Sequence, residues 1–331
     1  MAVTVDIFNP QISKVAEGLE GKTIFIYGGN NLGKTYTATH MSKPYFIACE
    51  SGLNAIAGVS YNRVNSWSDF KKLVKQFTNK QTVDKAREMY DTIVIDEVYA
   101  ASIFCQDYVI ATYGEGALSL GDGQGKINLY QAYEKEMFRT INTLLSCDYT
   151  VVFIGHALEK DGYVSPKGDK RLLNPLIDNS DFVIYLTSNG VDENGKVVLS
   201  TGHLAETDTF FARSRFSGCV TEITPFNAEN LEKAVKDAVA AEAKISGIKA
   251  VSYEEQKEQN VTAKYSYEEL MDLIMDIGTK IAESGNIEAL TETVESTLGA
   301  GKKVTECTKK QIDAMNIIYD ELCEKVVELG L

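Results

Sequence analysis

Apolar residues in the first two thirds of the chain come in short runs that alternate with amphipathic stretches. Five of these runs have the length of a β-strand and are rich in β-branched or aromatic residues: Thr23–Tyr27, Tyr45–Ala48, Thr92–Ile95, Thr150–Ile154 and Phe182–Leu186. Near-continuous apolar runs are typical of parallel strands that are covered on both faces. Their alternation with helix-compatible segments predicts an α/β fold with a mostly parallel central sheet up to about Phe226.

The pattern changes after Pro225 and becomes helical. Leu231–Ile245 is rich in alanine with apolar residues at helical spacing, and the polar segment after it is typical of a linker. Three amphipathic helices then follow up to the C-terminus. We therefore predict three regions: a core of residues 1–226, a helix and linker at 227–264, and an acidic helical domain at 265–331.

Charge is distributed unevenly between these regions. The chain has 33 basic and 47 acidic residues, a net charge of -14, of which residues 227–331 carry -9 and residues 1–226 carry -5. Proteins that coat nucleic acid by bulk attraction are usually basic, so any contact with phosphate must come from a local patch. The acidity of the C-terminal region suggests a protein partner, or electrostatic competition with DNA for basic loops elsewhere in the chain.

Other compositional signals predict a cytoplasmic protein. No run approaches the roughly 18 apolar residues of a membrane span, and the N-terminus lacks the pattern of a signal peptide. The six cysteines include no CxxC pair, which disfavours a zinc site or a disulfide framework. We therefore expect no membrane partner and reduced thiols.

One motif carries a specific chemical prediction. The residues Gly28, Gly29, Asn30, Asn31, Leu32, Gly33, Lys34 and Thr35 match the pattern GxxxxGK[ST] between an apolar run and a helix-compatible segment. Glycines let such a loop curl so that successive N–H groups point at phosphate oxygens. We predict that this loop binds ATP, with Lys34 on the β- and γ-phosphates and the Thr35 hydroxyl on Mg²⁺.

Two acids follow the third apolar run. Asp96 ends that run and Glu97 comes next to it. Asp96 is the predicted second Mg²⁺ residue, and Glu97 is one candidate for the base that polarises the attacking water. The alternative for Asp96 is that it only caps the following helix.

Glu50 is a competing candidate for that base. It ends the strand-like segment that follows the phosphate-binding loop. If this strand lies beside the strand of the loop, Glu50 faces the γ-phosphate. We favour Glu50 over Glu97 on this ground.

His156 ends another predicted strand, Thr150–Ile154 followed by Gly155. Ligands of open α/β sheets bind at the carboxyl ends of the strands. We predict that His156 senses the γ-phosphate and links the nucleotide state to the loop after it.

The order of these parts resembles the RecA/RadA-like ATPase core, and most resembles compact phage-encoded RecA-like single-strand annealing proteins. Glu50-Ser51-Gly52-Leu53 resembles the acid-Gly segment after the second strand of that group, and Arg213-Ser214-Arg215-Phe216 resembles the Lys-Asn-Arg-Phe segment of RadA-type proteins. The resemblance covers about residues 20–226. The loop interior, residues 29–32, departs from RecA relatives, and Ser217 is inserted before Gly218.

The resemblance implies a RecA-like fold and DNA-stimulated ATP hydrolysis in a homo-oligomer with nucleotide at the subunit interfaces. Arg213 and Arg215 would then reach the γ-phosphate bound by a neighbour. The alternative is that they form a solvated or salt-bridged strand end. The resemblance further implies that the glycine-rich stretch 113–125, with Lys126, is a second DNA loop. The alternative for this stretch is a surface loop without a function of its own.

A locally basic stretch after His156 is the candidate DNA contact. Basic side chains follow the phosphates of a single strand and an aromatic ring stacks on a base. The residues of this kind are Lys160, Tyr163, Lys167, Lys170 and Arg171. The alternative is a solvated charged hairpin.

We predict that the protein promotes annealing or strand exchange on single-stranded DNA in phage-type recombination. Two other functional classes remain as alternatives. A nucleotide-dependent remodelling or loading factor would act on a protein and bind no DNA. A small-molecule kinase is disfavoured, because no compact lid or acceptor-binding arginine cluster is evident in the sequence.

Overall fold

The computed structural model describes residues 8, 10, 12–122, 127–168, 170–260 and 265–331, and only the backbone of residues 170 and 258–260. Lys126 lies outside the described residues. The chain divides into two compact units, a larger one of Ile12–Glu258 and a smaller one that contains Gln259–Leu331.

The larger unit is built on a mixed, mostly parallel sheet. Its strands are β1 Thr23–Gly28, β2 Pro44–Ala48, β3 Ser60–Arg63, β4 Thr92–Asp96, β5 Thr150–Lys160, β6 Tyr163–Pro166, β7 Phe182–Thr187, β8 Thr201–His203, β9 Arg213–Ser214 and β10 Glu222–Ile223. The order is β10-β8-β7-β1-β5-β4-β2-β3, with β6 paired to β5 and β9 paired to β7. The strands from β7 to β3 are parallel to one another. The prediction of an α/β fold with a mostly parallel sheet is confirmed.

Helices cover both faces of this sheet. They are α1 Lys34–Thr39, α2 Trp67–Thr78, α3 Val83–Met89, α4 Val98–Tyr113, α5 Leu129–Leu145, α6 Lys170–Asn179, α7 Ala228–Ser246 and α8 Tyr253–Asn260. The strand β1 shows how the faces divide, since Phe25 and Tyr27 point into one core cluster and Ile24 and Ile26 into the other. All six residues of β1 are buried, as a central parallel strand requires.

The larger unit extends further along the chain than the predicted core of 1–226. In α7, Leu231, Val235 and Val239 are buried against the same face of the sheet as Ile184. The predicted linker contains α8, where the Tyr253 hydroxyl donates a hydrogen bond of 2.8 Å to Asp148. Residues 227–258 are therefore part of the larger unit, because their apolar side chains complete its second core cluster.

The smaller unit contains three helices, α9 Tyr267–Glu283, α10 Ile287–Leu298 and α11 Ile312–Leu329, at the positions the amphipathic pattern predicts. A capping box at Ser266 and Glu269 begins α9. Leu270, Met315 and Ile318 are fully buried in its own apolar cluster. In the described part of the chain, no helix combines the length and the apolarity that crossing a bilayer requires.

Candidate active site

The phosphate-binding loop lies between β1 and α1, at the carboxyl edge of the sheet. β1 lies between β5 and β7, so a side chain at Gly28 would come within 2.9 Å of the Leu186 carbonyl oxygen. Asn31 and Gly33 have positive φ angles of 60° and 81°. Left-handed residues within a turn direct successive N–H groups into one concavity, which is a geometry that binds anions.

Lys34 lies inside this loop. Its Nζ donates to the carbonyl oxygens of Gly28, at 3.1 Å, and Gly29, at 2.6 Å. Burial lowers the pKa of Lys34, while the nearby carboxylates of Asp96 and Glu50 act in the opposite direction. The ammonium group therefore occupies the mouth of the loop, where phosphate oxygens would replace the two carbonyls.

Thr35 and Asp96, the two residues predicted to hold Mg²⁺, are in direct contact. The Thr35 hydroxyl donates a hydrogen bond of 2.8 Å to Asp96 Oδ2. Asp96 Oδ1 is buried and has no hydrogen-bond partner among the described residues. Burial raises the pKa of Asp96 to about 6. The Thr35 hydroxyl and the Asp96 carboxylate, one oxygen of which is buried and unpaired, fit a hard divalent cation, which prefers oxygen ligands.

Glu50 lies at this site although its strand, β2, does not have the position in the sheet that the sequence led us to expect. The expectation that β2 lies beside β1 is wrong, because β5 and β4 separate them. After β2 the chain bends across the end of β4, where the Cys49 N–H donates to the Asp96 carbonyl at 2.6 Å. A Cβ on Gly52 would lie 3.4 Å from Asp96 Oδ2 and 3.7 Å from both Glu50 Oε1 and Thr35 Oγ1. Glu50 is thus next to the predicted Mg²⁺ residues.

His156 faces Glu50 from the end of β5. The sheet register places His156 opposite Gly28. Its Nε2 lies 3.6 Å from Glu50 Oε2, and the two side chains remain 27% and 39% exposed. A group bound by the phosphate-binding loop would therefore lie close to both side chains.

Glu97 has different surroundings from Glu50. It is the N-cap of α4, where its Oε1 accepts from the Tyr99 N–H and its Oε2 from the Ala100 N–H, both at 3.0 Å. The side chain is almost fully buried, and burial raises the pKa of its carboxyl. Ligand atoms of Glu50, Glu97 and His156 all lie within 4.8 Å of one another. Both candidate bases therefore lie at the site, but only Glu50 is open to solvent.

A cavity of about 320 Å³ opens in front of the loop. It is lined by Gly28, Gly29, Asn30, His156, Ala157 and Lys167. Larger cavities lie elsewhere in the described part of the chain, including one of about 380 Å³ lined by Glu17, His40 and Asp91 at the opposite edge of the sheet. Of the predicted site residues with ionisable side chains, His156 and Lys167 line the cavity of about 320 Å³.

Comparison with known proteins identifies the family of this site. A family model described as an AAA domain matches residues 20–216, which include every residue of the site described above. The chain belongs to this AAA-domain family. It is also 50% identical, over 327 residues, to the SPbeta prophage-derived uncharacterized protein YorG of Bacillus subtilis (strain 168), across 98% of this chain and 100% of that protein.

AAA-domain membership confirms the predicted P-loop ATPase. The similarity to a prophage-derived protein supports a phage origin for this AAA-domain ATPase. The family implies nucleotide binding and usually the use of Mg²⁺. The residues that would hold Mg²⁺ are Thr35 and Asp96.

The predicted DNA-contact residues have separate surroundings in the AAA-domain structure. Lys160 is exposed at the end of β5, and the Tyr163 hydroxyl donates a 2.5 Å hydrogen bond to Glu206. The Arg171 guanidinium lies 5.0 Å from the centre of the Tyr130 ring. Lys167 lines the cavity at the phosphate-binding loop, and Lys170 begins α6. Lys160, Lys167 and Arg171 are all exposed, and of these three Lys167 also lines the cavity at the phosphate-binding loop.

Arg213 and Arg215 lie away from the nucleotide loop of their own chain. Arg213 pairs with Val183 near the start of β7, about 10 Å along the strands from the level of Gly28. Its guanidinium donates to the carbonyl oxygens of Ile177 and Ser180, at 2.7 and 3.0 Å. Arg215 lies 3.6 Å from Asp181. Within the chain these arginines bind the C-terminal end of α6, and their role toward a neighbour stays a prediction.

Two contributors to the site were not identified from the sequence as such. Gly52 leaves the space in which Asp96, Glu50 and Thr35 approach one another, and the glycine two residues after the acid was the available signal. The Ser200 hydroxyl donates a 2.9 Å hydrogen bond to the Leu32 carbonyl and so holds the phosphate-binding loop. No local pattern indicates a contact between residues so far apart in the chain.

Proposed function

We propose that this AAA-domain protein is a Mg²⁺-dependent ATPase of the RecA-like kind, with Glu50 as the general base, and that it acts on single-stranded DNA in phage-type recombination. The observation that supports the base assignment is the contrast between the two glutamates. Glu50 is partly exposed and lies 3.6 Å from His156, whereas both oxygens of Glu97 accept hydrogen bonds from the first turn of α4. Glu50 also belongs to the segment that resembles the acid-Gly segment after the second strand of the RecA/RadA group.

The arrangement supports hydrolysis by a bound water. Lys34 would leave the carbonyls of Gly28 and Gly29 and donate to phosphate oxygens. Glu50 would orient a water and accept its proton as the water oxygen attacks the γ-phosphorus. The bond to the bridging oxygen of ADP breaks, and ADP and inorganic phosphate leave.

Mg²⁺ would supply positive charge to the phosphate oxygens and would be held by Thr35 and Asp96. The unpaired, buried Asp96 Oδ1 supports this fit, because a buried carboxylate oxygen without a partner is costly unless a ligand satisfies it. The remaining residues position the reactants. His156 lies opposite Gly28 in the sheet and 3.6 Å from Glu50, which supports the proposal that it donates to the γ-phosphate.

Single-stranded DNA as the target is supported by exposed basic side chains near the hairpin of β5 and β6. Lys160 and Arg171 are both exposed, although the larger unit as a whole is acidic. A narrow contact or a subunit interface is the form of DNA binding that this charge distribution favours. The deciding experiment measures release of inorganic phosphate with and without single-stranded DNA. Stimulation of ATP hydrolysis by DNA is the expected result, and an unchanged rate together with no salt-sensitive binding contradicts the DNA proposal.

A second function, nucleotide-dependent remodelling or loading of a protein, is favoured by one observation. Tyr163, Lys167 and Arg171, three of the predicted DNA contacts, are engaged within the chain by Glu206, the Tyr99 ring and the Tyr130 ring. The acidic C-terminal region offers a surface for a protein partner. Under this function ATP hydrolysis responds to a protein and is insensitive to DNA. A homo-oligomer with nucleotide at its interfaces fits either function, and sedimentation with and without a non-hydrolysable ATP analogue tests it.

A further inference from the structure

The hairpin of β5 and β6 leaves the ATPase site and returns to it. His156 and Ala157 begin the exposed part of β5, and Lys167 follows the last residue of β6. All three residues line the cavity of about 320 Å³ in front of Gly28 and Gly29. Lys167 is therefore a second lysine, besides Lys34, at the place where the terminal phosphate of a nucleotide would lie.

The backbone at Lys167 is held on both sides. Its N–H donates a 2.8 Å hydrogen bond to the His156 carbonyl, which joins the two ends of the hairpin. The next residue, Gly168, has a φ of 143°, and a Cβ there would come within 2.8 Å of Leu173. The Lys167 side chain therefore starts from a backbone position that is held beside the cavity.

The Lys167 side chain lies on an aromatic ring. Its Nζ is 4.8 Å from the centre of the Tyr99 ring, in the first turn of α4 directly after Asp96 and Glu97. Among the described residues, no carboxylate lies within salt-bridge distance of this ammonium group. A cation over an aromatic face at an exposed position is weakly held, so an anion in the cavity would compete for it.

We propose that Lys167 donates to the γ-phosphate of ATP bound in the same chain. ATP then draws the ammonium group away from Tyr99, whereas ADP, which lacks the γ-phosphate, leaves it there. The position of the Lys167 ammonium group thus differs between the ATP-bound and the ADP-bound protein. This proposal rests on the P-loop binding ATP, and it reassigns Lys167 from DNA contact to nucleotide contact.

The experiment compares the affinity of the full chain for a non-hydrolysable ATP analogue and for ADP by titration calorimetry. Lys167→Ala should weaken binding of the ATP analogue about tenfold or more, the loss expected for one charge-assisted hydrogen bond, and leave ADP affinity nearly unchanged. Lys167→Arg should restore much of the preference, because the positive charge and a donor are kept. The matched control is Lys80→Ala, an exposed lysine in the turn between α2 and α3.

Different failures of this experiment are distinguishable. If the wild-type chain binds neither nucleotide, the ATP site is wrong and the role of Lys167 falls with it. If the wild-type chain binds both and Lys167→Ala keeps the same ratio of affinities, the role of Lys167 alone is overturned. A Lys167→Ala variant that loses affinity for the ATP analogue and ADP equally also overturns it, since a general structural effect explains that result.

Discussion

At the level of single residues, the two candidate bases differ in the partners of their carboxylates. Both oxygens of Glu97 accept hydrogen bonds from backbone N–H groups of α4, whereas Glu50 lies beside His156. We expect Glu50→Gln to bind ATP with near-normal affinity and to hydrolyse it about 100-fold more slowly, because the amide cannot accept the proton of the water. The measurement is phosphate release under single-turnover conditions, with nucleotide affinity determined separately.

Glu97→Gln is the matched variant. Because Glu97 caps α4 through two backbone N–H groups, its loss should lower the free energy of unfolding by about 1 kcal/mol and change hydrolysis less than Glu50→Gln does. The base assignment passes to Glu97 if Glu97→Gln abolishes hydrolysis while Glu50→Gln leaves it intact.

Asp96 gives the stability of the protein a pH dependence in the absence of nucleotide and Mg²⁺. Its pKa is about 6 in the folded chain against 3.8 for an ordinary Asp, so the folded state holds a proton that the unfolded state releases between these values. Stability contributed by this group is therefore lost as pH rises from about 4 to about 6. Asp96→Asn should be more stable than the wild type at pH 8, by up to about 3 kcal/mol, and the advantage should vanish near pH 4.

Urea denaturation at the two pH values measures this difference. Asp84→Asn, an exposed change of the same charge in α3, serves as the control and should show no pH-dependent advantage. An Asp96→Asn advantage that is equal at pH 4 and pH 8 contradicts the assignment of the shifted pKa to Asp96.

At the level of elements, the hairpin of β5 and β6 joins the ATPase site to the proposed DNA contact. We expect the double variant Lys160→Ala, Arg171→Ala to weaken binding of single-stranded DNA and to reduce the slope of log affinity against log salt by about 1.4, the value for two phosphate contacts. Basal ATP hydrolysis should stay near the wild-type rate, because neither side chain lines the nucleotide cavity. Anisotropy titrations at several salt concentrations test this, and an unchanged slope removes these two residues from the DNA contact.

The strands also show how much of the fold the pattern of apolar residues predicts. Runs of apolar residues predicted the buried parallel strands, since a strand covered on both faces needs apolar side chains throughout. The pattern did not give their order, and so β2 was expected beside β1. Short strands such as β9 and β10 were beyond reach, because their pairing depends on contacts far along the chain.

For the candidate site, the sequence predicted the local motifs but not the contacts between residues far apart in the chain. Lys34, Thr35 and Asp96 follow from motifs with local spacing, and the structure brings them together. The hydrogen bond from Ser200 to the Leu32 carbonyl, and the turn of Lys167 toward the phosphate-binding loop, depend on the folded chain alone.

For the whole molecule, the boundary at Glu258 has a measurable consequence. A chain that ends at residue 258 should fold with nearly wild-type stability, whereas one that ends at residue 226 lacks α7 and exposes apolar surface around Ile184. Loss of buried Leu231, Val235 and Val239 should cost about 5 kcal/mol or more.

The single tryptophan makes this test specific. Trp67 is buried in the larger unit, where its indole N–H donates to Glu136 at 2.9 Å, so its fluorescence reports unfolding of that unit. Equal urea midpoints for the two truncated chains would show that α7 does not stabilise the larger unit.

The tip of the hairpin has an evolutionary consequence. Asp161 and Gly162 make the turn with positive φ angles, and the space beside Gly162 is open. The residues that face the nucleotide cavity stand at the two ends of the hairpin instead. The tip can therefore lengthen, shorten or change its charge while hydrolysis is preserved. Related ATPases would in this way acquire new targets by substitution of a few residues at the tip. Selection would then act separately on the nucleotide site and on the residues that bind the target.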